Sequence, residues 1–493
     1  MNGAPPARYR FGDPARASLL LGLSLRQSIP LVVGVVWLTL WLMVGLPTVG
    51  FAGPVLGLGF AFGRWRRTPL FDVAVPGMRL WWTRRRNRSP WVRVSILGAG
   101  PGLEEELPGS LAGLEMLEVP IDWQARRQGA AVMRDRRAAS VSLVMQVTGA
   151  GFPIASLREQ DGLVATWGAA LGPLARAQCP VSRITWQEWA HPIGVRGHRE
   201  FLEGLNRPTN TAVSNDYEDL LELQGPFTIA HEVLLTLTVE LRRVRTRRRE
   251  LLVAAIDTLT DEARLLVSRL ESAGLRVDGP LSPLELSTAI RLRSDPSRAT
   301  QVSSVRRSLA AAVGRGAIEW GPMAVDPTWD AVSVDGSMHR SFRVAGWPML
   351  PVGADWMAPL LAGDGATRTV TVVLEPVPLQ RAAADANRQL TSIEADHAQK
   401  ERHGFRLTAR ERRRQSDVEI RERELAEGHP EFRHAAIITV TANGLDELDD
   451  SCARVEQAAA QSMLDLRPLA ARQAEGWVAS LPMGRSFTTG MRA

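Results

Sequence analysis

The sequence predicts an α+β chain in which an N-terminal transmembrane helical hairpin precedes repeated strand-helix-strand units, with mainly antiparallel sheets and one long charged helix. Three observations predict it. No charged residue occurs from Gln27 to Gly63. Beyond it, alternating apolar runs and amphipathic runs follow one another. A stretch from about Gln380 to Glu427 carries charges of both signs at helical spacing.

The chain has 493 residues, 45% hydrophobic and 23% charged, which suits ordered domains and argues against disorder. A net charge of +6 is modest, and the bases are almost all arginine, with Lys400 the single lysine. An arginine-rich composition of this kind follows from a GC-rich genome, so it gives little support to nucleic-acid binding. Two cysteines far apart, Cys179 and Cys452, exclude a disulfide framework or a cysteine-based metal site.

Taken in order, residues 1–28 are expected to form a cytoplasmic segment and residues 29–63 the hairpin. The uncharged run is about twice the ~20 residues that one membrane helix needs. Gly45, Pro47, Gly53 and Pro54 supply breakers between arms near Ile29 to Val44 and Phe51 to Phe62. Arginines on both outer sides place both ends on the cytoplasmic side of an inner membrane. Trp37, Trp41, Arg64, Trp65, Arg66, Arg67, Trp81 and Trp82 are the expected membrane-anchoring residues, because indole rings and guanidinium groups favour the headgroup region. Small residues from Gly57 to Gly63 would allow close helix packing. Residues 64–95 read as a basic juxtamembrane connector.

Residues 96–295 form a first α+β region. Val141, Leu143, Met145 and Val147 alternate with Ser140, Ser142, Val144 and Gln146, as in a strand; Ser156 to Ala177 is helical, and Val181 to Trp189 is extended. The order recurs with a strand from His231 to Leu241 and a helix carrying Leu252, Ile256, Leu259, Ala263, Leu266 and Leu270 on one stripe, stopped by Gly274. Ser282-Pro283-Leu284-Glu285 has the cap, first-turn proline and N3 glutamate of another helix. Residues 296–493 form a second region: a strand from Thr369 to Leu374, the long charged helix, a strand from Ala435 to Thr441, a turn at Asn443-Gly444, and a helix that buries Cys452.

Chemical motifs are scarce. No G-x-x-x-x-G-K-[ST] occurs, and Lys400 lies in a helical context without glycine, which excludes a P-loop ATPase. Gly98 to Gly102 contains a proline where a dinucleotide loop would open its helix. His191 and His198 bracket a Pro-Gly loop without metal-ligand spacing. Pro108 to Gly113 lacks the spacing of a nucleophile elbow. No catalytic, cofactor or metal residues are therefore expected. The acidic clusters Asp216-Tyr217-Glu218-Asp219 and Asp449-Asp450 are the places where an alternative reading, a membrane-tethered enzyme, would first be tested.

Two stretches resemble parts of bacterial type IV secretion. Tyr9-Arg10-Phe11 through Leu20 to Leu23 and Gln27, leading into the hairpin and the Arg-Trp connector, resembles a PrgI-like small inner-membrane protein. Residues 115 to 485 resemble the N-terminal part of the VirB-type conjugation ATPases, most specifically at Glu422 to Gly428, His429-Pro430-Glu431-Phe432, Ala435 to Val440, Gln473 and Leu481-Pro482-Met483-Gly484. In that family the leucine-proline segment hands over to a RecA-like motor, whereas this sequence stops about ten residues later. Such fusions are similar to membrane proteins of actinobacterial conjugative elements. The resemblance implies a non-catalytic inner-membrane scaffold, oligomeric, that docks a separate motor ATPase and other secretion subunits, with the long helix as docking arm; the anchor of another injection machine is a further alternative.

Overall fold

The computed structural model describes residues 9, 11, 18–20, 23–65, 68–86, 89–93, 107–123, 129–149, 151–193, 196–205, 212–224, 229–245, 250–298, 320–363, 365–402, 406 and 408–485. The expected glycine-rich stretch from Gly98 to Gly102 lies outside them. Its centre is a 13-stranded antiparallel sheet. The strands are β1 (Trp91–Val92), β2 (Leu114–Val119), β3 (Ala130–Asp135), β4 (Ser140–Thr148), β5 (Val181–Pro192), β6 (Ile229–Glu240), β7 (Arg276–Pro280), β8 (Ala324–Pro327), β9 (Val332–Val334), β10 (Ser337–Gly346), β11 (Arg368–Val377), β12 (Glu431–Ala442) and β13 (Asp465–Pro468). They run β1-β8-β9-β10-β12-β11-β5-β6-β4-β3-β2, with β7 added to β4 and β13 to β10.

The expected α+β class and antiparallel pairing hold, and the repetition follows one rule. In the first half β4, α4 (Leu157–Leu171), β5, β6, α7 (Leu251–Ser272) and β7 succeed one another, and the sheet order is β7-β4-β6-β5. In the second half β10, α9 (Ala358–Leu361), β11, β12, α12 (Leu445–Gln461) and β13 do so with the order β13-β10-β12-β11. Each is a βαββαβ unit of ferredoxin-like topology. In both units the first strand shares one edge between two partners: β3 then β7 along β4, and β9 then β13 along β10. The units join where β5 meets β11, with Gln187 opposite Thr371 and Trp189 opposite Thr369, so a pseudo-twofold axis passes between these strands.

Each central hairpin carries a helix pair at its tip. α5 (Arg196–Gly204) and α6 (Ala212–Gln224) interrupt β5 and β6; α10 (Leu379–Arg402) and α11 (Ala409–Ala426) interrupt β11 and β12. Because β5 and β11 are antiparallel, the two pairs leave opposite ends of the sheet. The expected single long helix is thus two helices. Thr408 accepts from the Glu411 amide, and Glu411 returns to the Thr408 amide, a capping box that starts a new helix within the charged stretch. Equivalent boxes at Ser156–Glu159 and Ser282–Glu285 start α4 and α8 (Pro283–Ser294).

One face of the sheet is covered by α4 and α7 in the first half and by α9 and α12 in the second. Val141, Leu143, Leu235 and Leu237 pack with Leu259 and Leu266 there, and Phe342, Ile438 and Val440 pack with Leu448 and Val455. The opposite face unites the halves: Met133, Val144, Leu234 and Ile290 share one core with Val325, Val334, Trp477 and Leu481. Its centre is polar. Ser142 and Thr238 hydroxyls lie 2.9 Å apart in the first half, and Ser341 and Thr439 2.9 Å apart in the second. The chain that follows α13 (Gln473–Ala479) crosses this layer. The Gln187 side-chain amide donates to the Ala479 and Leu481 carbonyls, Arg183 to the Gly484 carbonyl, and Arg485 pairs with Asp135 at 2.9 Å.

The N-terminal hairpin exists, but its expected passage through a membrane is corrected. Among the described residues no helix is long and apolar enough to cross a membrane. α1 (Leu25–Met43) opens with Arg26, Gln27 and Ser28, and α2 (Pro47–Phe62) has 16 residues, ~24 Å at 1.5 Å per residue against the ~30 Å of a hydrocarbon core. The uncharged run divides at the turn into the part of α1 from Gln27 to Met43 and α2 from Pro47 to Phe62, each short of the ~20 residues that a span needs. The inner-membrane location and the cytoplasmic placement of both ends rested on that count and fall with it. The small residues do pack helices closely: a Cβ on Gly34 would stand 2.7 Å from the Gly53 carbonyl, and one on Gly57 2.6 Å from that of Pro30, so the partner of α2 is α1.

Candidate interaction surfaces

The arm of α10 and α11 is fixed at its base and polar along its length. Val377, Ala382, Ala386 and Leu425 form a small core there. Arg421 forks onto Glu431 through Nε at 3.0 Å and Nη2 at 2.8 Å, the bidentate geometry in which a guanidinium holds a carboxylate best, and also reaches Gln389. Asp385 takes both Arg388 and Arg433. Toward the tip Lys400 pairs with Glu411, tying the two helices. Hydrogen bonding from Lys400, followed by that from the Thr408 amide, pulls the Glu411 carboxyl down to about 2. A folded-state value below the unfolded one means that the pair contributes above the ordinary carboxylate range and is lost as pH falls through the folded value. In Lys400→Ala the Glu411 carboxyl, followed by NMR, is expected to titrate higher; an unchanged value would remove the pair from the tip.

At the other end, α5 and α6 present Phe201, Val213, Leu220 and Leu223 to solvent, between 54% and 78% exposed. Arg199 binds Glu218 at 2.5 Å, and the His198 ring meets the Tyr217 hydroxyl at 2.8 Å. The first acidic cluster is therefore divided, with Glu218 and Tyr217 joining α6 to α5 and Asp216 and Asp219 exposed. In the second, Asp449 binds Arg340 at 2.6 Å and Asp450 is exposed.

The expected anchoring residues do not form one band. Trp37 packs over Gly53, donates to the Val49 carbonyl and lies 5.8 Å from Trp41. Trp65 meets Trp329 edge-on at 5.6 Å, and Gly77 of α3 (Leu70–Arg85) approaches the same indole, so these residues fasten the hairpin to the second half. Trp81 and Trp82 remain half exposed on α3, under the guanidinium groups of Arg85 and Arg86 at 4.3 and 4.8 Å. Arg64 is exposed in a short extended pair with Pro69, while Arg66 and Arg67 lie outside the described residues.

Ionisable groups, of which the sequence singled out His191 alone, gather at the end of the β5–β6 hairpin. Glu188, buried on the helical face, meets His231 Nδ1 at 2.5 Å. On the other face Arg293 Nη2 binds Glu232 at 2.7 Å and lies over Trp189, against which His191 stacks at 3.6 Å. Burial, then the Arg293 charge, lowers the His191 imidazole to about 4, so it is neutral at physiological pH. His191 and His198 thus take separate partners, and among the described residues no group of three His, Cys, Asp or Glu is placed to hold a metal ion. The cysteines are free and buried; burial pushes the Cys452 thiol up to about 12. The signal for the cluster was the alternation of Gln187, Trp189 and His191 along one strand face, which ordinarily marks solvent rather than a covered polar layer.

Comparison with protein-family models and with curated proteins finds no match to this chain.

Proposed function

We propose that this chain is a non-catalytic scaffold subunit of a conjugation-like DNA or protein translocation complex, and that it docks a separate motor ATPase. The observation that carries the reading is the α10–α11 arm: two helices of 24 and 18 residues, seated on four small apolar side chains and presenting charges of both signs along their outer length. A helix pair so polar gains little from its own burial, whereas complementary charges on a partner would give it specificity and rapid association. The resemblance of residues 115 to 485 to the N-terminal part of the VirB-type conjugation ATPases suggests which partner. The lysine that a phosphate-binding loop requires is absent from the sequence outside the arm, where Lys400 is engaged with Glu411.

Lys400 also supplies the test, since its amine is the one lysine side chain in the sequence. A heterobifunctional reagent attached there is expected to capture a co-expressed P-loop ATPase encoded beside this chain. The double change Arg414→Glu with Glu422→Arg, both at exposed positions, is expected to weaken that ATPase by about tenfold or more without lowering the melting temperature. Undiminished affinity, or capture confined to other elements, would refute the arm as the docking site.

A further inference from the structure

Tyr9 and Phe11, the first described residues, lie against the body of the protein. Tyr9 and Val352 exchange both backbone hydrogen bonds, Tyr9 N–H to the Val352 carbonyl at 2.9 Å and Val352 N–H to the Tyr9 carbonyl at 3.0 Å. This is one rung of an antiparallel ladder, and Val352 is only 4% exposed. Two residues on, the Phe11 ring stacks on Trp347 at 5.2 Å and 25° and meets the edge of Trp356 at 5.0 Å. His434 of β12 closes the third side, 6.0 Å from Phe11 and 4.6 Å from Trp347. The Tyr9 hydroxyl donates to Asp161 of α4 at 3.3 Å. Residues 9 and 11 therefore touch the helical faces of both halves.

We propose that Trp347, Val352, Trp356 and His434 form a peptide-binding cleft for extended segments with aromatic residues two apart, and that Tyr9 and Phe11 are its resident ligand. The chemistry is that of strand addition: main-chain hydrogen bonds supply affinity without regard to sequence, and a pocket for an alternate side chain supplies selectivity. Three rings arranged edge and face around a fourth give an aromatic residue a preference that an aliphatic one lacks. One bridge and one inserted ring make a small contact, so a partner carrying the same spacing need only outcompete a tethered ligand whose effective concentration is about millimolar.

The test uses the full chain with Tyr9→Ala and Phe11→Ala, which vacates the cleft, and a fluorescent peptide copying residues 5–15. By anisotropy, the vacated chain is expected to bind this peptide about tenfold or more tightly than the unchanged chain, and a peptide with alanine at the Phe11 position is expected to bind about tenfold or more weakly. Trp347→Ala in the vacated chain should abolish binding with its circular dichroism unchanged. Should that variant fail to fold, a peptide with a photoreactive benzoylphenylalanine at the Phe11 position decides instead, by cross-linking within residues 347–356 or at His434. Equal affinities for vacated and unchanged chains, indifference to the aromatic residue, or cross-links elsewhere would each overturn the proposal.

Discussion

Trp477→Ala is expected to lower the stability of the whole sheet by about 3–5 kcal/mol, the range for truncating a large aromatic side chain in a closed core. Trp477 is 1% exposed and sits in the cluster that joins both halves, with Met133, Val144 and Leu234 from one and Val325, Val332 and Val334 from the other. Its cavity would open where the units meet, so both should lose stability together rather than one melting early. One effect acts the other way and sets the loss toward the lower end of that range: among the described residues the buried indole Nε1 has no hydrogen-bond partner, and its removal relieves a desolvated donor. Trp477→Phe separates the terms, because it retains most of the ring volume and deletes the donor. It is expected to cost less than about 1.5 kcal/mol, or nothing. Urea unfolding followed by far-ultraviolet circular dichroism measures both; a loss below about 1 kcal/mol for the alanine variant would mean that α13 lies on the core without closing it.

The strands and amphipathic helices were legible because their signals are local. Ser282 and Glu285 cap α8 as their spacing foretold, and Cys452 lies on the buried stripe of α12. Three features fold otherwise than the sequence reading had them. The stretch from Gln380 to Glu427 hid a capping box in a run of arginines and glutamates, so its charge pattern passed for one continuous helix. The hairpin's uncharged length counted toward spanning, although turn residues and the polar opening of α1 shorten what each helix can cover. Duplication was blurred by its crossovers: α4 has 15 residues and its counterpart α9 has four, so the same topology is written with unlike helices.

The polar sheet face was the least legible part. Ser140, Ser142, Val144 and Gln146 alternate with larger apolar residues, the pattern of a strand with one wet face. In the structure Ser142 and Val144 are 2% and 0% exposed, beneath the segment after α13 that comes from the far end of the chain. Hydroxyls that would meet water find Thr238 and Thr439 instead, while the Gln187 amide takes two carbonyls of that segment. A covered layer of this kind specifies which chain segment lies over it, since any other would leave donors unsatisfied. No single strand carries that information.

Acid should loosen this junction before it affects the outer parts of the sheet. His339 is fully buried, with one ring nitrogen 2.8 Å from the Ser294 carbonyl and the other 2.9 Å from the Thr441 hydroxyl. Since a carbonyl can only accept, Nε2 carries the proton in the neutral ring and Nδ1 accepts from Thr441. Burial holds the imidazole down at about 4; the Ser294 carbonyl and the Asp295 charge favour the protonated form but do not prevail. The unfolded chain therefore binds this proton first as pH falls. Stability from the neutral ring is complete above about 6.5 and is lost progressively between about 6.5 and 4, by about 3 kcal/mol in all. His191, neutral for the same reason beside Arg293, adds loss of the same sign. His339→Gln keeps a donor for Ser294 but does not titrate, so urea midpoints at pH 7, 5.5 and 4 should fall less steeply in that variant than in the unchanged chain. Identical slopes would show that the ring is already charged in the folded protein, and the neutral hydrogen-bonded link between β10 and α8 would have to be abandoned.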